Sequence, residues 1–169
     1  EASQVSWLGN FLNALLSAGC ILFLFWSITR LVRSLIVNEE QNLSTIDVIV
    51  ILGSGFVGAL AYTFSDTFWF SAVEGEVYAF SSFLTALVFW MILRWQDESD
   101  SVYGDRWIIL IAYIIGLSIG VHLLNLLCIP AIVLVFYYQK YHAISFKGVA
   151  AAIVISGLLI VFILFVYIP

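Results

Sequence analysis

The residues best suited to chemistry are two carboxylates separated by one glycine, Glu74 and Glu76. Such a pair can share a divalent cation, with Mg²⁺ or Mn²⁺ as the candidates. It can also act as a base towards an acceptor hydroxyl. A structural role is the alternative, because a glutamate at the start of a helix interacts favourably with the helix dipole. The spacing alone does not decide between these interpretations.

Four further residues are candidates for binding a substrate, namely Asp66, Trp69, His122 and Asn125. Ionisable groups in an apolar, membrane-type sequence are functional candidates by default. His122 is also a candidate third ligand for a metal held by Glu74 and Glu76. The alternative for His122 and Asn125 is a hydrogen bond to a neighbouring helix, and the sequence leaves both possibilities open.

The elements that position these residues are membrane helices. Of the 169 residues, 63% are hydrophobic and 10% are charged, whereas a soluble domain has about 45–50% apolar and about 25% charged residues. Apolar runs long enough to cross a bilayer predict an all-α polytopic bundle, a single transmembrane domain over residues 1–169. No basic stripe is present, which argues against nucleic-acid binding. We predict spans at about 7–29, 46–64, 77–95, 107–121, 123–138 and 149–168.

The uncharged stretch 107–138 admits two interpretations, one long tilted helix or two short helices in a hairpin. A hairpin with its tip near 120–122 places every Lys and Arg on one side, which the positive-inside rule makes cytoplasmic. Segment 65–76 and the tip then share the opposite face with the candidate residues. The hairpin is therefore favoured. The basic residues are Arg30, Arg33, Arg94, Arg106, Lys140 and Lys147.

Segment 65–76 should form a short helix along the outer surface. Ser65 or Asp66 can cap such a helix, and the aromatic residues 68–70 suit the level of the lipid headgroups. Small residues suggest packing roles elsewhere. Gly53, Gly55 and Gly58 are spaced for close helix contact, and Cys20 and Cys128 fit as small core residues.

Two longer motifs carry a family resemblance: TFWFSAVEGEVYAFSSFLTALVFWMILRW and RWIILIAYIIGLSIGVHLLNLLCIPA. They closely resemble a family of large membrane proteins abundant in Bacteroidetes, assigned to glycosyltransferase family 117 and long catalogued as a domain of unknown function (DUF). That family is similar to the eukaryotic protein O-mannosyltransferases and belongs with the GT-C glycosyltransferases. The resemblance covers residues from about 7 to about 138.

The resemblance implies a GT-C membrane fold and transfer of a sugar, with mannose as the candidate, from a polyprenyl-phosphate donor. The acceptor would be Ser or Thr of an exported protein. By position and type, Glu74 and Glu76 match the family's second acidic motif and would be catalytic. The protein would lie in the inner membrane of a bacterium with its active face periplasmic. Membrane lipid would surround it, and the donor's tail would occupy an apolar groove between spans.

One departure from the family pattern affects the expected activity. We find no acidic residue that corresponds to the family's first-loop catalytic acid. The resemblance then implies a fragment that begins at the second membrane helix, with that acid upstream. Two other functions stay open: a non-catalytic subunit or scaffold of an envelope or secretion complex, and a transporter. The transporter is disfavoured because the spans carry few charges and show no inverted repeat.

Overall fold

The structure is a computed structural model that describes residues 2–37, 43–74, 77–101, 103–141 and 144–167. Within these ranges the chain forms helices joined by short connections and contains no strand. Along the described part of the chain, seven α-helices follow one another, together with a 3₁₀ helix at Leu123–Leu127 and a π-helical end at Ile163–Tyr167. The α-helices are α1 (Ala2–Ile36), α2 (Thr45–Thr63), α3 (Asp66–Val73), α4 (Tyr78–Glu98), α5 (Gly104–Ile119), α6 (Cys128–Lys140) and α7 (Phe146–Phe162).

The protein is an all-α integral membrane protein. In the described ranges, four helices are long and apolar enough to cross a bilayer, and their surfaces are rich in exposed large apolar side chains. These helices are Gln4–Ile36, Thr45–Thr63, Tyr78–Glu98 and Phe146–Val166. With 16 and 13 residues, α5 and α6 are shorter than the roughly 20 residues that a span requires.

The uncharged stretch 107–138 is broken into separate helices. The carbonyl of Ser118 accepts the backbone N–H groups of Val121 (3.0 Å) and His122 (2.9 Å), which ends α5. The 3₁₀ helix follows, and α6 then begins at Cys128. Pro130 lies in the first turn of α6, where a missing N–H costs no intrahelical hydrogen bond. The structure therefore does not form one continuous helix here.

Helix α1 is longer than the apolar run that predicted it. Its 35 residues span about 52 Å at about 1.5 Å per residue. Arg30 and Arg33 lie inside α1, and the helix continues to Ile36. Arginine is a good helix former, so these charges end the hydrophobic segment without ending the helix. The predicted span at about 7–29 therefore covers only part of a longer helix.

The chain divides into two compact units, Glu1–Leu93 and Arg94–Pro169, with the division inside α4. In the first unit α1 packs against α2 at two of the three predicted glycines. A Cβ at Gly58 would come within 2.6 Å of Ile28 Cδ1, and one at Gly55 would overlap the side chains of Thr29 and Phe25. Gly53 faces open space. The close-contact prediction is confirmed for Gly55 and Gly58 only.

An aromatic cluster joins α1 to α4 in the first unit. The ring centroids of Phe23 and Trp26 lie 5.3 Å and 5.8 Å, respectively, from that of Trp90, and Phe83 completes the cluster. One turn before Phe23, the buried Cys20 donates a hydrogen bond to the carbonyl of Ser82 at 3.5 Å. Cys20 is therefore a core residue, as the sequence suggested.

Polar contacts join three helices at one end of the second unit. The carboxylate of Glu98 accepts hydrogen bonds from Arg94 Nη2 at 2.7 Å and from Trp107 Nε1 at 2.8 Å. Gln139 Nε2 donates to Ser99 Oγ at 2.6 Å. These contacts connect the end of α4 to the start of α5 and to the end of α6.

Candidate functional site

The short helix α3 carries the residues of the predicted outer site and is held by one buried aromatic ring. Phe68 is only 5% exposed, and its ring centroid lies 4.6 Å from that of Tyr62 in α2. Trp69 and Phe70 are more than half exposed. A helix with one buried and two exposed aromatic residues is suited to the membrane interface.

The start of α3 differs in detail from the prediction. Ser65 occupies the N-cap position but makes no side-chain cap. Its hydroxyl instead donates to the carbonyl of Tyr62 at 2.8 Å. Asp66 lies in the first turn, where a negative charge is favourable, and it is exposed. Asp66 and Trp69 are therefore accessible on one short helix.

Glu74 terminates α3. Its backbone N–H donates to the carbonyl of Phe70 at 3.0 Å, and its own carbonyl accepts a hydrogen bond from Asn13 Nδ2 in α1 at 2.6 Å. The residue itself is exposed. Its backbone is thus fixed on both sides while its carboxylate is accessible. Glu76, the second acid of the predicted motif, lies outside the described residues.

His122 and Asn125 belong to the second unit, at the turn between α5 and the 3₁₀ helix. Asn125 is 3% exposed, and its Nδ2 donates to the carbonyl of Ser118 at 3.3 Å. Its backbone N–H donates to the carbonyl of His122 at 3.2 Å. His122 is half-buried. The Asn125 amide therefore stabilises the turn, as the structural alternative expected, and its role towards a substrate stays a prediction.

The predicted metal ligands are Glu74, Glu76 and His122. Among the residues that the structure describes, no group of three His, Cys, Asp or Glu side chains forms a potential metal site. Glu76 is not among those residues, while Glu74 and His122 belong to different units. The divalent cation therefore stays a prediction from the sequence.

An apolar groove of about 710 Å³ lies within the second unit. Gly116 in α5 opens part of its wall, because a Cβ at this position would meet no atom within 4 Å. The groove suits a hydrocarbon chain rather than a polar ligand, since its lining is almost entirely apolar. The lining residues are Trp95, Ile108, Ala112, Ile115, Gly116, Ile119, Gly120, Ile129, Ile132, Val133, Phe136, Leu159 and Ile163.

Asn13 is the residue of this region that no sequence motif indicated. It is 8% exposed on a helix whose neighbouring residues are mostly apolar. A polar side chain in such a helix is itself a signal, because it must find a hydrogen-bond partner. The partner, 61 positions along the chain, is not apparent from sequence.

Comparison with known families gives one match. Residues 1–145 match the family model described as the protein O-mannosyl-transferase TMEM260 N-terminal domain. No curated protein and no solved structure matches the chain. The matched range includes both motifs that carried the resemblance.

Proposed function

The chain belongs to the protein O-mannosyl-transferase family of the TMEM260 N-terminal domain, and on that premise we propose that it forms part of a membrane glycosyltransferase. The reaction moves a sugar, with mannose as the candidate, from a polyprenyl-phosphate donor to Ser or Thr of an exported protein. The observation that carries this proposal is the family match over residues 1–145. Glu74, exposed at the end of α3, supports it.

The proposed chemistry needs a base and a stabilised leaving group. The acceptor hydroxyl oxygen forms a bond to the anomeric carbon while the bond from that carbon to the phosphate oxygen breaks. The electron pair leaves with the phosphate, and the hydroxyl proton passes to a carboxylate. We assign that role to Glu74 or Glu76. We propose that the accessible Asp66 and Trp69 bind substrate. His122 and Asn125, which the sequence also indicated, are proposed to bind substrate as well.

Charge balance supports a role for a divalent cation. The leaving phosphate is negative, and no Lys or Arg occurs between Arg33 and Arg94. All charged residues of segment 65–76 are therefore acidic, and none can neutralise the phosphate. A cation held by Glu74 and Glu76 would neutralise the phosphate as a Lewis acid. We therefore include Mg²⁺ or Mn²⁺ in the proposal.

The donor's tail and the membrane complete the proposal. The groove of about 710 Å³ in the second unit is a suitable site for the prenyl chain because its walls are apolar. The positive-inside rule assigns the ends of the helices that carry Lys and Arg to the cytoplasm. We propose a location in a bacterial inner membrane with the acids on the periplasmic face.

The test is exported-protein glycosylation in cells that express the full-length protein. The double variant Glu74→Gln/Glu76→Gln should lose at least about 100-fold of the transfer rate, because general acid–base groups contribute that much or more. Asp100→Asn, an exposed acid outside the proposed site, is the matched control. Membrane levels of all variants are measured in parallel.

Unchanged glycosylation in the double variant at a normal membrane level would contradict the proposal and favour the scaffold function. The cation is tested in membranes by adding EDTA and then restoring Mn²⁺ or Mg²⁺. Sugar transfer should stop in EDTA and recover when the metal ion is restored. Full activity in EDTA would contradict a role for the cation. Glu74 or Glu76 would then act only as the base that accepts the hydroxyl proton.

A further inference from the structure

A hydrogen bond within the first unit links Asn13 of α1 to Glu74 at the end of α3. Asn13 Nδ2 donates to the backbone carbonyl of Glu74 at 2.6 Å, and Asn13 is 8% exposed. We propose that Asn13 is a positioning residue that fixes the backbone of Glu74 from α1. The proposal rests on the function proposed above and adds a residue that the family resemblance did not supply.

The backbone at Glu74 shows why an external donor is useful there. The chain leaves the helix at this residue, with φ −77° and ψ 131°. Carbonyls in the last turn of a helix lack an intrahelical partner and need another donor. The Asn13 amide supplies one, so a side chain of α1 holds the backbone at Glu74, where α3 ends.

The free-energy cost of burying an amide in α1 also supports a specific role for Asn13. A buried polar group is costly unless it is hydrogen-bonded, and apolar residues surround Asn13 in the helix. The amide is not needed to hold α3 in place, because the buried Phe68 of α3 already packs against Tyr62 of α2. The hydrogen bond from α1 therefore fixes the end of a helix that apolar packing against α2 already holds.

A hydrogen bond that orients the Glu74 backbone should affect turnover more than stability. A catalytic carboxylate must lie within hydrogen-bond reach of the proton that it accepts. Displacement of a reacting group by about 1 Å can cost about 100-fold in rate. Loss of the Asn13 donor should therefore lower kcat while the affinity for the acceptor, which depends on other contacts, changes little.

The experiment compares four variants of the full-length protein in membranes. Asn13→Leu keeps the size but removes the donor, and Asn13→Asp replaces the amide by a carboxylate. Asn13→Gln restores an amide. Ser17→Ala is the matched control, since Ser17 lies one turn further on the same buried face and its hydroxyl has no hydrogen-bond partner. The substrates are polyprenyl phosphate mannose and a Ser/Thr-rich peptide.

We expect Asn13→Leu to lower kcat by about 10- to 100-fold, with KM for the peptide within about threefold and heat resistance equal to that of Ser17→Ala. Asn13→Gln should recover most of kcat. If Asn13→Leu does not reach the membrane, Asn13→Asp decides with the same readouts. A fall in heat resistance without a selective loss of kcat would show a purely structural role and overturn the proposal.

The double variant Glu74→Gln/Glu76→Gln is assayed alongside to separate two kinds of failure. If it is inactive while Asn13→Leu turns over like Ser17→Ala, the positioning role is wrong and the proposed function stands. If the double variant keeps full activity, the acids do no chemistry, and both proposals fall together.

Discussion

Phe68 is the side chain that holds α3 in place. It is 5% exposed and packs on Tyr62 with ring centroids 4.6 Å apart. Phe68→Ala should destabilise the protein by about 3 kcal/mol, because truncation of a buried aromatic ring leaves a cavity. Heat-induced aggregation in detergent should then begin at a lower temperature, and sugar transfer should fall because α3 ends at Glu74.

Phe70→Ala is the matched control for this change. Phe70 lies on the same helix but is more than half exposed, so its removal leaves no cavity. Equal heat resistance in the two variants would contradict the assigned anchoring role of Phe68.

At this scale the sequence predicted residue types better than residue contacts. The spacing of Glu74 and Glu76 and the aromatic residues of α3 stand out because they are close together in the sequence. The bond from Asn13 to Glu74 joins positions 61 residues apart and depends on how α1 and α3 pack. Ser65 shows the same limit, since its hydroxyl bonds to Tyr62 rather than capping α3.

The contact between α1 and α2 depends on two glycines. A side chain at Gly55 would overlap Thr29 and Phe25. We expect Gly55→Leu to cost about 1–3 kcal/mol, because overpacking forces neighbouring side chains and backbones apart. The measurement is again heat resistance in detergent, supported by the level of the full-length protein in the membrane.

Gly53→Leu is the control for this helix contact. It makes the same chemical change two residues earlier in α2, where an added Cβ meets no atom within 4 Å. It should leave stability unchanged or improve it, because glycine is a poor helix former. A large loss of stability with Gly53→Leu would show that the glycines act through something other than the α1–α2 contact.

Helix positions were largely predictable because hydropathy is a local property of the chain. Helix α2 begins one residue before the predicted span, at a capping box in which Ser44 and Asp47 bond to each other's backbone N–H groups. The end of the apolar run did not predict the end of α1, since the helix extends past Arg30 and Arg33 to Ile36. The break after Ile119 depends on the Ser118 carbonyl and its donors, which hydropathy does not detect.

For the whole molecule, composition and the family resemblance predicted what no single element could. The small share of charged residues indicated a membrane protein, and the two long motifs indicated the family whose model matches residues 1–145. The direction of the chain across the membrane and the single-domain organisation stay predictions. Lys and Arg at helix ends indicate which side of the membrane each loop occupies.

The groove of the second unit gives the sharpest test of the proposed polyprenyl-phosphate donor. Gly116 borders the groove, and an added Cβ there meets no atom within 4 Å. Gly116→Phe should therefore fold normally while its ring occupies space that the prenyl chain would need. We expect KM for a long-chain polyprenyl phosphate mannose to rise about tenfold, which corresponds to about 1.4 kcal/mol of lost binding.

Gly157→Phe is the matched control, because Gly157 also faces open space but does not line the groove. A donor with a short prenyl chain adds a second comparison within the same enzyme. Since a short chain fills less of the groove, Gly116→Phe should raise its KM less than that of the long-chain donor. Equal KM values for the two phenylalanine variants with the long-chain donor would place the prenyl tail elsewhere on the protein.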